Sequence, residues 1–433
     1  LDAKESPETS QSSGNWITGP VLGIVLATFF SDFGHEACTA VLPLYLTIVG
    51  LGPEALGVIE GVADFLVSLS KLGGGVLGHR VRHKRPWAAA GYAITAVCTA
   101  CIGLVKQASA AVALRSAAWV ARGYRGPLRD AMLAEAVPQS HYGRAFGLER
   151  TGDMLGAVSG PLIAALLVWA GVAFGHVILL TLIPGLAAAA AFFFLTRDQA
   201  DSPVPTTSLP RTAAAFSFPT RDQADSPAPT DPSEPLPRPA FPKLYWQFLG
   251  GVFLFGMGDF SRAFLILLAA RALGEEGQPA GGTLSLAVLL YALHNLISAA
   301  AAYAIGERAD RTDKLRLLVV GYGLGVATNV LLALYAGTLA GIFAAVVLSA
   351  IYLAAEQTLE KATAAHFLPK ELRSLGFGIL AASNAIGDMA SSLMVGYLLK
   401  LERPELAFGV AAAFGLAGVV WLSVVASRRP AQA

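Results

Sequence analysis

Asp32, His35 and Glu36 stand at i, i+3 and i+4 in the stretch SDFGHEACTAVL, whose other residues are mostly small or apolar. On a helix this spacing puts all three on one face. Carboxylates beside a histidine can exchange protons, with burial and neighbouring charge setting how readily they do so. The same set of donors is also able to coordinate a divalent cation. A second set is basic: Arg122, Arg125 and Arg129 share another helix face, and guanidinium groups recognise carboxylates and phosphates through paired hydrogen bonds. Farther along come Glu60 and Asp64, Asp259 and Arg262, His294 and Asn295, and then Glu356, Glu360 and Lys361. Ionisable groups at membrane depth are costly unless they face a cavity or pair with each other. They are therefore either a transport path or structural ion pairs, such as Asp32 with Arg122. Asn295 and His294 equally suit interhelical hydrogen bonds.

The surroundings of these residues determine the class of protein. Of 433 residues 55% are hydrophobic and 14% charged, with a mean hydropathy of +0.57. A soluble domain carries about 25% charged residues, so soluble enzymes, nucleic-acid binders and disordered proteins are poor fits. Twelve membrane helices of about 20 residues need roughly 240 apolar-dominated positions, which 55% of 433 residues supplies. A net charge of +1, from 31 Lys and Arg against 30 Asp and Glu, implies no polyanionic partner. Cys98 and Cys101 have C-x-x-C spacing but no second pair or nearby histidine, so with Cys38 they read as small core residues. No nucleophile–base spacing, His-metal motif or Walker A pattern is present, which argues against an enzyme and against direct ATP coupling.

The elements that must position these groups follow from the polar breaks. They delimit twelve apolar spans at 17–47, 55–78, 87–105, 110–136, 145–170, 175–195, 244–272, 283–306, 315–336, 338–366, 374–400 and 405–427. Basic residues gather in alternate loops, at Arg80, Arg82, Lys84, Arg85, Arg144, Arg308, Arg311, Lys314, Lys370 and Arg373. The positive-inside rule then makes both termini cytoplasmic. Residues 196–242 hold 11 of the 24 prolines and the near-duplication TRDQADSPVPT/TRDQADSPAPT, the composition of a disordered linker. The expected organisation is a tail at 1–15, a six-helix bundle at 16–195, a cytoplasmic linker at 196–243, a second bundle at 244–427 and a tail at 428–433.

The two bundles match each other. At an offset of 231, Gly75, Arg80, Pro138, Phe146, Gly147 and Gly156 meet Gly306, Arg311, Pro369, Phe377, Gly378 and Gly387. Asp32-Phe33 meets Asp259-Phe260 at an offset of 227. At 231, Arg125 meets Glu356, Arg129 meets Glu360 and Asp130 meets Lys361, each charge opposite its counterpart. If both members face the pseudo-twofold axis, these pairs close the cytoplasmic side. The alternative is that each residue pairs within its own half.

Four stretches carry a resemblance to the major facilitator superfamily. GVLGHRVRHKR at 75–85 resembles its loop signature G-x-x-x-D-R-x-G-R-[KR], and GERADRTDK at 306–314 is the second-half counterpart. ARGYRG at 121–126 resembles the fourth-helix signature and GAVSGP at 156–161 the fifth-helix G-x-x-x-G-P signature. SDFGHEA, VIEGVAD and RGPLRDAMLAEAVP are also similar to a group of bacterial permeases that includes nickel-resistance permeases. The resemblance implies an all-α integral membrane fold of twelve helices in two pseudo-symmetric bundles, in a bacterial inner membrane, acting as a monomer without a cofactor. It makes Gly75, His79, Arg80, Asp310 and Arg311 the loop signature, with Asp130 the nearest partner for Arg80. His79 stands where the family has Asp, which would make this latch pH-sensitive unless the residue is simply solvated.

The resemblance also places spans one, four, seven and ten around a central cavity. Arg122, Arg125, Asp259, Arg262 and Glu356 are then substrate-side residues together with Asn295, while Asp32, His35 and Glu36 are the proton-coupling candidates. The expected function is a proton-coupled secondary transporter of a small solute, leaning to export because the Gly-Pro signature is common in drug:proton antiporters. The arginines favour an organic anion, whereas Asp32, His35 and Glu36 leave divalent-metal efflux open. A non-transporting scaffold or sensor that uses the linker is the reading from another class.

Overall fold

The computed structural model describes residues 16–49, 53–198, 240–260, 264–265, 268 and 286–428, and among them every regular element is helical. The first half comprises α1 (Gly19–Ile48), α2 (Pro53–Arg80), α3 (Lys84–Cys101), α4 (Ala108–Ala136) and α5 (Tyr142–Trp169), then α6 (Phe174–Leu180) and α7 (Leu182–Leu195), which share the sixth span. The second comprises α8 (Lys243–Gly256), α9 (Leu286–Asp310), α10 (Lys314–Tyr335), α11 (Leu339–Phe367), α12 (Arg373–Lys400) and α13 (Pro404–Ser427). Nine stretches among the described residues are long and apolar enough to cross a membrane. α4 is not one of them, because Arg115, Arg122, Arg125 and Arg129 lower its hydropathy. The expected tails and most of the linker, with its repeat, lie outside the described residues, as does the later part of span seven.

The repeat is visible in how the helices stop. Val137 and Leu368 end α4 and α11 in extended conformation, as the residue before a proline must, and Pro138 and Pro369 each lead into a single 3-10 turn before α5 and α12. Gly171 (φ 85°) and Glu402 (φ 55°), 231 residues apart, turn the chain after α5 and α12 in the left-handed region. α10 and α11 start on side-chain caps: Asp313 accepts from the Arg316 amide at 2.8 Å and Thr338 from the Gly341 amide at 3.1 Å.

The connections α2–α3, α4–α5, α9–α10 and α11–α12 gather the loop lysines and arginines at what is called here the basic end. Close to it the halves cross at two glycine pairs. A Cβ on Gly75 would lie 2.9 Å from the Gly378 Cα, and one on Gly306 would lie 2.2 Å from the Gly143 carbonyl oxygen. α2 thus meets α12, and α5 meets α9, at backbone contact. A single apolar core joins both halves here, from Ile24, Tyr92, Phe146 and Phe192 to Tyr245, Leu359, Phe377 and Leu422. Toward the other end, among the described residues, each half has a core of its own, around Cys38, Leu42 and Ile178 in one and Leu332, Ile342 and Phe408 in the other. The outer faces expose Trp169, Phe194 and Leu393, as a surface against lipid requires.

Candidate functional site

α1 and α4 face each other along a polar seam near mid-span. Asp32 Oδ1 lies 2.5 Å from Arg122 Nη1, with the carboxylate buried and the arginine side chain 24% exposed. His35, one turn farther on α1, is buried edge-on against Trp119 of α4, with ring centroids 4.8 Å apart. Trp119 is flanked by two guanidinium groups, Arg115 at 5.4 Å and Arg122 at 5.7 Å from its ring. Arg115 also donates to Thr39 Oγ1 at 3.1 Å. Glu36 is half-buried and puts a second negative charge within reach of Arg122.

Arg125 belongs to a different layer. It donates to Ser31 Oγ at 2.6 Å and Thr95 Oγ1 at 3.2 Å, and its guanidinium lies 3.8 Å from the Tyr92 ring centroid. These contacts are all within the first half, so the structure pairs Arg125 with its own bundle and not with Glu356, which is buried on α11. Of the first-half arginines, Arg122 combines partial exposure with a carboxylate partner near mid-span.

In the second half Tyr352 of α11 donates to Asp259. Beside it lies a small pocket, with room for about one water, whose lining includes Phe260, His294, Thr328, Asn329, Ser349 and Tyr352. His294 lines this space, whereas Asn295, expected as a solute ligand, is buried with its Oδ1 3.4 Å from His294 Nδ1. Arg262 and the side chains of Glu60 and Asp64 lie outside the described residues. Among the described residues no group of three or more His, Cys, Asp or Glu is placed to hold a metal ion. Asp32 turns to Arg122 and His35 to Trp119, so they do not converge on one point.

Toward the basic end the halves are held by polar contacts. Lys361 of α11 reaches across to Asp130 and Glu149, 3.4 Å from each, and Arg129 binds the same two carboxylates at 2.8 and 2.9 Å. Of the three expected cross-half pairs, Asp130–Lys361 is formed. Arg129–Glu360 is not. Lys361 faces the other half, and the neighbouring position is rotated by about 100° on a helix of 3.6 residues per turn. Glu360 accordingly turns into its own half, accepting from the Tyr322 hydroxyl and from Asn384 Nδ2, the latter at 2.6 Å.

The loop signatures lie outside this layer. Asp310 accepts from the Gly143 and Arg144 amides at 2.7 and 3.1 Å and from Arg144 Nε at 3.0 Å. It thereby satisfies free amides at the start of α5, where negative charge is favoured. His79, 231 positions earlier, meets the corresponding place on the other half, with its Nδ1 2.9 Å from the Glu371 carbonyl oxygen. A histidine cannot reproduce a carboxylate accepting from two amides, so the two signatures make unequal latches. Arg80 is exposed and does not pair with Asp130, and Arg311 pairs with Glu307 at 2.6 Å on the surface. Buried Arg373 adds a cross-half contact that sequence reading did not single out, donating to Tyr142 Oη at 2.5 Å and the Ala134 carbonyl at 3.4 Å. Arg115, Trp119 and Glu149 were also not expected here. The first two had a signal, since Arg115-Trp119-Arg122 repeats at helical spacing.

Comparison with known proteins agrees with this architecture. The family model described as Major Facilitator Superfamily matches residues 24–359 and 251–433. An uncharacterized MFS-type transporter of Methanocaldococcus jannaschii is 22% identical over 409 residues, covering 94% of each chain. An uncharacterized protein of Mycobacterium tuberculosis is 25% identical over 394 residues, covering 89% of this chain and 88% of the relative. Among solved structures, the human organic anion transporter MFSD10 (TETRAN) superposes with a TM-score of 0.70 at 14% identity, covering 93% of this chain and 99% of that one. A bacterial homologue of the iron transporter ferroportin, in the outward-facing state, gives 0.68 at 13% identity, with 94% and 100% covered. The E. coli fucose:proton symporter FucP gives 0.67 at 13%, with 95% and 99% covered.

Proposed function

The chain belongs to the Major Facilitator Superfamily, and from that premise we propose that it exports a small organic anion by alternating access, coupled to the proton gradient. The fold does not choose the solute, since the similar structures are those of an organic anion transporter, an iron transporter homologue and a fucose:proton symporter. The observation that carries the reading is the Asp32–Arg122 ion pair, with Arg122 partly exposed near mid-span. An arriving carboxylate or phosphate competes with Asp32 for that guanidinium, and Trp119 gives its apolar part a surface. On this reading Asp259 and Glu356 belong to the same transport path in the other half. The basic end is the cytoplasmic end on this reading, because its loops carry the Lys and Arg excess. On this reading an arrangement joined at the basic end corresponds to the outward-facing state. Protons enter the cycle through a carboxylate buried between helices.

Reconstituted protein tests this. With a pH gradient imposed across liposomes, labelled mono- and dicarboxylates are expected to move, whereas nickel and cobalt are not. Arg122→Ala should reduce anion transport about 10- to 100-fold, the loss of one or two charge-assisted hydrogen bonds, and Arg125→Lys should reduce it far less. Nickel or cobalt transport without anion transport would overturn the solute class.

A further inference from the structure

Resting on the proton-coupled reading, we propose that Glu360 is the proton-binding site that sets which end of the transporter is open: protonated while the basic end is shut, ionised when it opens. Its two contacts set Glu360 apart from the carboxylates of the first half. Asp32 faces a guanidinium, which only donates, so at that contact it serves as an acceptor. Removing its charge would leave Arg122 without the counter-ion it has in the seam. Glu360 faces a hydroxyl, from Tyr322 of α10, and a carboxamide, from Asn384 of α12. Each of these can donate or accept. The ionised carboxyl accepts from the Tyr322 hydroxyl and the Asn384 amide nitrogen. The protonated one donates to the amide oxygen once the carboxamide turns over, and that oxygen is buried and has no other hydrogen-bond partner. The site accommodates both protonation states without moving a helix.

The charges around it are also balanced without Glu360. Arg129 and Lys361 supply two positive charges and Asp130 and Glu149 two negative ones, each cation within 3.4 Å of both carboxylates. Asp259 and Tyr245 of its own half are also within electrostatic reach of Glu360, and Glu356, one turn earlier on α11, acts on the same Tyr322 hydroxyl. While the basic end is shut, an ionised Glu360 would therefore be a surplus buried charge. Opening that end takes Lys361 away from Asp130 and Glu149. Lys361 then needs a counter-ion, and Glu360, already within its electrostatic reach, supplies one by releasing a single proton to the open side. Each cycle thus binds one proton on the outer side and releases one at the basic end.

The test needs no knowledge of the solute. In a background with Cys38, Cys98 and Cys101 replaced by alanine, Ser140→Cys and Lys370→Cys carry spin labels on exposed connections of the two halves at the basic end. Their distance distribution is measured in nanodiscs from about pH 5 to about pH 9. Wild-type protein should shift toward the longer distance by at least about tenfold in population ratio as the pH rises. Glu360→Gln, which keeps the shape and the contacts of the protonated form, should stay at the shorter distance throughout, while Glu405→Gln, at an exposed carboxylate at the start of α13, keeps the wild-type response. A Glu360→Gln response like wild type, or an equal loss of the response in Glu405→Gln, overturns the proposal. Two populations that do not respond to pH overturn it and leave alternating access standing. A single distance in every variant at every pH removes both.

Discussion

At the scale of single residues the informative comparison is between neighbours on one helix. Glu360 and Lys361 are adjacent, yet one ties α11 to α10 and α12 while the other ties it to the opposite half. Position in the repeat places a residue in its half and says nothing about which way its helix is turned, which is why Arg129 and Glu360 match in the repeat and do not meet. Exchanging their charges, Arg129→Glu with Glu360→Arg, should therefore rescue nothing. Thermal unfolding of the purified double variant is expected to match or fall below the worse single variant. Recovery by more than about 1 kcal/mol, the interaction energy of side chains in contact, would show that the pair forms. Arg129 already has Asp130 and Glu149 as buried partners, so each single change strands charge and should be costly on its own, by about 3–5 kcal/mol.

At the scale of helices, the two glycine crossings determine how closely the halves can approach. The Gly306 position has no room for a side chain, because the obstruction is the Gly143 backbone and not a flexible group. Gly306→Leu should wedge α9 from α5 and loosen the whole basic end, including the α2–α12 crossing. A cysteine at Ser374, a buried residue of that second crossing whose side chain packs against Gly78, reports it. Its reaction with a membrane-impermeant maleimide should accelerate at least about tenfold. Gly323→Leu, at a position open to 4 Å, should leave the rate unchanged, and equal rates in the two variants would mean that the crossing does not control closure. These helices were largely legible beforehand, because hydropathy sets span length and the 231-residue repeat sets topology. The candidate site was legible only in part. Sequence spacing put Asp32, His35 and Arg122 where α1 and α4 meet, but rotation about the helix axis decided that Arg125 packs inward on Tyr92. Tyrosines such as Tyr322 and Tyr352 carried no sequence signal, since a phenol on an apolar helix looks the same whether it fills space or binds a carboxylate.

At the scale of the whole molecule, the described residues form one core shared by both halves at the basic end and one core within each half toward the other, two bodies joined at the basic end. Asp310, Arg373 and Lys361 fasten that end from the second half, and His79 from the first. Bodies held by such a surface do not depend on the segment between α7 and α8 for their attachment; a covalent link raises their effective concentration and adds no contact. Two chains cut between residues 220 and 221 and produced together should consequently copurify and retain the transport activity of the uncut protein. Adding Asp310→Asn and Lys361→Met removes one negative and one positive fastening while leaving the net charge unchanged. In the cut protein these two changes should cause the halves to separate on a column, whereas the uncut protein with the same changes stays whole and shifts toward the form open at the basic end. Cut halves that fail to copurify even with every fastening intact would show that the joined end is too weak to act as a hinge, and that the proline-rich segment helps hold the two bodies together.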